Sequence, residues 1–391
     1  MSSLFEVRSQ RLTFLDSIRG LAALSVVWSH FALGYGALVP FQTVLEHTPL
    51  HLFWDGSAAV SMFFVLSGFV LSLKYLQPPD FKVPIQLRLS SFYISRICRI
   101  SLPFMAMLGI SYAGCHWLYH PPSIEPPMTK WLQGFWTPVS LAAASSSFKQ
   151  ALLFLPGTVH SYVPQGWTLT LELQASLCMP FLIFLARRGI LPLTLFCFLS
   201  VSYDLFLNRN FTVSMYVLLY FHFYLGIILS SFLPSFSRRG SGQNLWIKFL
   251  LFCLALFCYT FRHTVYVRYP ELMKEVHVWY FTALGSFLFL ALVLGSTKAR
   301  NLLDYAPCRY LGKVSYSLYL CHLFVLLIPV PLALSFLNPW GLPAGVVHYA
   351  AFFLTTLFTL GFSVIFYGII EKPAMNLGHQ LARIISVPCF F

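Results

Sequence analysis

Charged and imidazole side chains set inside apolar segments are where this sequence could do chemistry. The stretch LDSIRGLAALSVVWSHF holds Arg19 and His30. Eleven helical steps of 100° bring the chain to within about 20° of three full turns, so both side chains share one face, about 16 Å apart along the axis. A charge at the centre of a membrane span costs at least ~2.5–3.5 kcal/mol, which makes function the default reading of such a residue. A guanidinium near one end of this helix can hold phosphates bidentately. An imidazole deeper on the same face can serve as base or relay. The alternative is an Arg that snorkels to the headgroups and a His bonded to a neighbouring helix.

Three further segments carry similar groups. FYISRICRISLPF places Arg96 and Arg99 three apart, on one helix face. They form either a cationic patch for an anionic ligand or a topology anchor. PQGWTLTLELQ holds Gln165, Trp167, Thr168 and Glu172. A lone carboxylate inside a span needs a partner, and His30 or an Arg would serve. LGKVSYSLYLCHLF puts Tyr316, Tyr319 and His322 on one face, flanked by Ser315 and Ser317. These side chains either line a site or bond between helices.

The elements that must position them follow from composition. The chain has 391 residues, 58% apolar and only 9% charged, with 40 Phe and 20 Tyr. A soluble domain carries about 25% charged residues. The composition excludes a soluble enzyme, a disordered chain and a disulfide-rich secreted domain. A span needs roughly 20 mostly apolar residues, which gives about ten candidates at 14–35, 57–76, 97–115, 168–187, 190–207, 211–233, 244–261, 277–296, 313–336 and 346–370. The apolar runs are continuous, so these are helices rather than barrel strands. The expected fold class is therefore all-α, a polytopic integral membrane protein.

The net charge of +13 lies mostly between spans, which argues for membrane topology and against nucleic acid as a partner. Of 25 Lys and Arg, all but Lys130, Lys149, Arg209, Arg262, Arg268 and Lys274 fall on the side of the two termini. The positive-inside rule then places both termini in the cytoplasm. Cys178, Cys197, Cys253, Cys258 and Cys321 lie within apolar runs, no close metal-type pair is formed, and no metal site is expected. The first apolar run lacks a cleavage pattern and reads as a retained span. Asn210-Phe-Thr is a weak glycosylation sequon beside a span. The long connection 116–167, with Trp131, Phe135 and Trp136, is either an interfacial aromatic belt or a lid over an outward-facing site.

Taken together in this order, the segments resemble the acyltransferase family 3 membrane proteins of the O-antigen acetyltransferase type. Arg19 and His30 match the family's Arg-x10-His, and FFVLSGFVLS, with Ser67 and Gly68, resembles its second-span Ser-Gly-Phe. Arg96 and Arg99 match Arg-x-x-Arg, Trp167 to Glu172 resembles Trp-[Ser/Thr]-Leu-x-x-Glu, and Gly312 to His322 resembles Gly-x-x-Ser-Tyr-Ser-x-Tyr-x-x-His. Glu371, Lys372 and Pro373 resemble the Glu-Lys-Pro that closes the last span. The resemblance covers about 12–375, taken as one transmembrane domain over 1–375 with a short cytoplasmic tail at 376–391. The soluble SGNH hydrolase-like domain of some relatives is not expected.

The resemblance implies transfer of an acyl group, usually acetyl, from cytoplasmic acyl-CoA to a hydroxyl of a glycan or glycolipid at the lipid bilayer, with no permanently bound cofactor. In a bacterial host this would be the inner membrane. Expected catalytic residues are His30, Arg19 and Glu172, with Glu172 orienting His30. Arg96, Arg99, Ser67 and Gly68 are expected to bind the donor. Trp167, Ser315, Tyr316, Tyr319 and His322 are expected at the acceptor or site wall. Rival readings are an acyltransferase acting on a small molecule or natural product and, in another class, a proton- or solute-coupled transporter.

Overall fold

The computed structural model describes residues 12–36, 45–76, 89–119, 128–135, 145, 162–207, 210–239 and 245–385. Those residues form helices and no strand. The first helices are α1 (Thr13–Tyr35), α2 (Gly56–Leu76), α3 (Leu89–Trp117) and the short α4 (Lys130–Gln133). There follow α5 (Gly166–Arg188), α6 (Ile190–Phe206), α7 (Phe211–Arg239), α8 (Leu245–Tyr259) and α9 (Glu275–Leu294). The chain ends with α10 (Thr297–Leu303), α11 (Ala306–Lys313), α12 (Ser315–Leu327), α13 (Pro329–Leu337), α14 (Ala344–Phe366) and α15 (Lys372–Ile384).

The ten expected segments fall on largely helical stretches of the described residues, with breaks inside 313–336. Six helices among the described residues are long and apolar enough to cross a membrane alone: those starting at Gly56, Leu89, Gly166, Val213, Glu275 and Ala344. α11 and α12 make a seventh only as a pair bent by 68°. α6 and α8 are apolar but shorter. α1 is long enough at 23 residues and less apolar, since it carries Asp16 and Arg19. The helix from Ala344 runs on through Ile384, so residues 376–384 belong to α15, which packs along α3, where Gly378 meets Cys98.

Packing follows the membrane rule that small residues let helices approach and polar side chains bond across them. α2 lies along α7. A Cβ on Gly68 would sit 2.4 Å from the carbonyl oxygen of Phe223, and one on Gly226 would sit 2.2 Å from that of Val65. Ser72 and Ser230 share a hydrogen bond at 2.7 Å within the same seam. α1 crosses α11 as closely, with Gly20 against Leu311 and Gly312, and Gly312 against the Asp16 backbone. The outer faces of α6 and α8 expose Leu191, Phe198, Leu199, Leu245, Trp246 and Leu250, as lipid-facing helices do. The residues that matter for chemistry therefore lie where α1, α2, α3, α5 and α12 converge.

Candidate active site

α1 carries two levels of this site. At the lower level, Arg19 lies within electrostatic reach of Arg99, Glu172 and Glu371. Glu172 on α5 is bonded twice through one oxygen: Arg96 Nη2 donates to Oε1 at 3.3 Å and Ser67 Oγ at 3.1 Å. The same Arg96 nitrogen donates to Ser176 Oγ at 3.1 Å, one turn beyond Glu172. Arg96 and Glu172 are 13% and 15% exposed, so their charges cancel in a nearly dry setting. Glu371 is buried and accepts from Ser317 Oγ at 2.5 Å. A π-helical turn over Tyr367–Glu371, at the seam of α14 and α15, delivers that carboxylate. Among the described residues, the side chains of Arg19 and Arg99 donate no hydrogen bond, so their guanidinium N–H groups stand available for an anion.

At the upper level, His30 Nδ1 and His322 Nε2 are 2.6 Å apart, with the rings 8° from coplanar. The protons on this pair follow from its anchor. His322 Nδ1 lies 2.6 Å from the Tyr319 carbonyl oxygen. A carbonyl only accepts, so Nδ1 carries the proton and Nε2 of His322 must be the acceptor. His30 Nδ1 is then the donor, and the lone pair of His30 is on Nε2. That nitrogen has no hydrogen-bond partner among the described residues. The result is a base held in one tautomer by a second imidazole, which is in turn locked to the backbone.

Two features hold the pair in place. Thr168 Oγ1 and Tyr319 OH share a hydrogen bond at 2.6 Å, and Gln165 Nε2 donates to the Leu320 carbonyl at 2.7 Å, tying the start of α5 to α12. Trp131 of α4 stacks on His30 at 5.4 Å between ring centroids and 29° between planes. The segment is clamped to the end of α1: Thr129 Oγ1 donates to the Leu33 carbonyl at 2.7 Å, and Thr129 N to that of Gly34 at 2.8 Å. Hollows lined by Leu182, Cys197, Tyr220 and Tyr224 and by Phe64, Trp167 and Trp279 do not include His30 in their walls.

A family model described as an acyltransferase domain, that of acyltransferase family 3, matches residues 12–368. The chain belongs to acyltransferase family 3. No curated protein and no solved structure matches it. The protein is thus a membrane acyltransferase, an enzyme of transfer built from apolar helices.

Within this acyltransferase the sequence motifs divide. Arg19, Arg96, Arg99, Glu172, Ser67, Ser317 and Glu371 come together at the lower level; His30, His322, Tyr319 and Trp131 at the upper. Glu172 does not orient His30. Its hydrogen bonds go to Arg96 and Ser67, since the Arg96 guanidinium lies within reach of the carboxylate, and His322 is the ring bonded to His30. Gly68 does not face a donor site: its missing side chain admits the α7 backbone. Trp167 is 38% exposed and packs edge-on against Trp279, in the wall of a hollow that does not include His30. Ser315 turns back to the Gly312 carbonyl at 2.8 Å and closes the bend between α11 and α12. Tyr316 donates to the Ile100 carbonyl at 2.6 Å and fastens α12 to α3 just past Arg99. Trp136 lies outside the described residues.

Proposed function

We propose that this acyltransferase moves an acyl group, acetyl in the simplest case, from cytoplasmic acyl-CoA to a hydroxyl of a carbohydrate or glycolipid acceptor. The observation that carries the reading is the lone pair of His30 Nε2, fixed by the chain from the Tyr319 carbonyl through His322. Arg19 and Arg99 supply unengaged guanidinium donors for the coenzyme's phosphates. Arg96 contributes little to that task, because Glu172 already neutralises it. Coenzyme A carries its thioester at the tip of a long arm, far from its phosphates. The separation of about 16 Å along α1 between Arg19 and His30 suits such a ligand.

The chemistry needs one base and a dry pocket. His30 Nε2 takes the proton of the acceptor hydroxyl as that oxygen attacks the thioester carbonyl. A C–O bond forms, the C–S bond breaks, and the leaving thiolate takes the proton from His30. As His30 becomes cationic, its Nδ1–H bond to His322 becomes charge-assisted and stronger. Trp131 covers the imidazole and keeps water from competing for the acyl group. The test is purified protein with radiolabelled acetyl-CoA and membranes as the acceptor source. Wild type should pass label to membrane glycolipid or glycan, and His30→Ala should abolish that transfer while the protein stays folded. Retained transfer by the folded variant removes His30 from the chemistry.

A further inference from the structure

A second constellation of titratable groups lies at the end of α1 away from Arg19, and the transfer reaction uses none of it. It joins three elements that are distant in sequence. His51 sits in the 3-10 turn Pro49–Trp54, Asp55 precedes α2, and His263 belongs to the π-helical turn Arg262–Tyr266 after α8. One ligand-type atom from each lies within 4.8 Å of the other two. The two imidazole rings face each other at 3.5 Å between centroids.

The bonding of these groups is incomplete in a directed way. Asp55 is fully buried. Its Oδ1 accepts from Ala58 N at 2.9 Å and Ser57 Oγ at 2.7 Å, the usual work of a helix N-cap. Its Oδ2 is buried with no hydrogen-bond partner. His51 is 3% exposed, and both its ring nitrogens are unpartnered. His263 Nδ1 also lacks a hydrogen bond, 3.7 Å from Glu46 Oε1. An unsatisfied buried polar atom costs ~1–3 kcal/mol, more if charged, and here several point at one spot.

We propose that His51, Asp55 and His263 bind a divalent first-row metal ion, zinc in the first instance, with Glu46 in reach of the fourth position. The donor set decides the class: two imidazoles and a carboxylate suit zinc and its neighbours, whereas magnesium and calcium prefer all-oxygen sites. Bonds of about 2.0–2.2 Å put tetrahedral ligand atoms about 3.4 Å apart, so modest side-chain rotations close the site. One Asp55 oxygen would continue to cap α2 while the other binds metal. The ion would staple the α1–α2 connection to the end of α8, steadying the helix end that carries His30. It runs against the sequence-based expectation of no metal site, which rested on cysteine spacing.

The experiment uses full-length protein purified in detergent without a polyhistidine tag. Metal content is read by mass spectrometry after stripping with EDTA and after zinc titration against a chromophoric chelator. Thermal melts are recorded in parallel. Stripped protein should take up about one zinc per chain and melt higher with it, and magnesium or calcium should do neither. Asp55→Asn, which keeps the cap acceptor, and His263→Gln should each weaken zinc binding by more than the roughly 10–100-fold that loss of an outer-shell partner costs. Gel filtration confirms that both remain folded. If stripped, folded wild type takes up no zinc, the proposal fails. Uptake that is unchanged in both variants places the metal elsewhere and also overturns it. Should neither variant fold, the wild-type titration decides alone.

Discussion

Replacing His322 by Phe isolates what the second imidazole does. Phe fills the ring's volume but offers His30 no acceptor. In the ground state one neutral N–H···N bond of 2.6 Å is lost. In the transition state the same bond is charge-assisted, and the difference between the two cases is ~1–2 kcal/mol. Without it His30 also divides between two tautomers and two ring orientations, a factor of about four, or ~0.8 kcal/mol. Together these amount to ~2–3 kcal/mol on the barrier, so kcat should fall about 30- to 150-fold. The donor KM should hold, because His322 is far from Arg19 and Arg99. His322→Gln returns an amide oxygen as acceptor and should recover activity to within about tenfold of wild type. Label transfer from radiolabelled acetyl-CoA into membrane acceptors gives kcat, and a thermal melt reports folding, since His322 is fully buried. The double variant His30→Ala, His322→Phe should be no slower than His30→Ala alone, because the second imidazole acts only through the first. A folded His322→Phe enzyme with wild-type kcat would refute the tautomer argument. So would a variant whose only defect is a raised donor KM.

Four further outcomes follow from the lower level, the cover and the packing seam. Arg99→Gln removes charge-assisted bonds worth ~1.5–3 kcal/mol and should raise the acetyl-CoA KM about 10- to 150-fold with kcat kept; an unchanged KM excludes Arg99 from the donor site. Arg96→Gln behaves differently: it strands Glu172 in a nearly dry setting at a cost of ~3–5 kcal/mol, so the melting temperature should drop, and adding Glu172→Gln should restore most of it. Trp131→Ala uncovers His30 and should raise acetyl-CoA hydrolysis relative to transfer, read as thiol released without acceptor; an unchanged ratio rules out the cover role. Gly226→Leu drives a side chain into the Val65 carbonyl and should destabilise the fold by ~1–3 kcal/mol or more, seen as a lower melting temperature with no selective loss of catalysis.

What the sequence makes legible here is periodicity and cost. Ten apolar runs are visible in the sequence because lipid demands them; among the described residues six helices, or seven with the bent pair, are long and apolar enough to cross a membrane. Arg19 and His30 fall on one face because eleven residues nearly complete three turns, and that geometry survives in the fold. Pairings between helices are not legible, since no local rule says which span lies beside which. Glu172 illustrates this: the sequence says that it needs a partner and leaves His30 and an Arg open, and only the placement of α3 against α5 selects Arg96. Ser176 was readable as a same-face neighbour of Glu172, four residues on. Trp131 was visible only as an aromatic in a long loop. Gly68 shows the opposite failure, a motif residue read as chemistry that serves packing.

The bend between α11 and α12 explains why one short motif can serve both levels of the site. Gly20 and Gly312 let α11 cross α1 at backbone contact, so the chain meets α1 near Asp16 and Arg19. A straight continuation would carry Ser317, Tyr319 and His322 past α1 at the crossing angle. The 68° turn, closed by Ser315 on the Gly312 carbonyl, sends α12 up beside α1 instead. Ser317 then meets Glu371 at the charged level, and His322, five residues and about 7.5 Å further on, meets His30. Glycine, serine, tyrosine and histidine in that segment thus have four separate jobs: close approach, bend, anchorage and base orientation. An insertion of one residue between Ser317 and His322 would rotate the imidazole by about 100° off His30 while leaving the bend and the charged cluster intact.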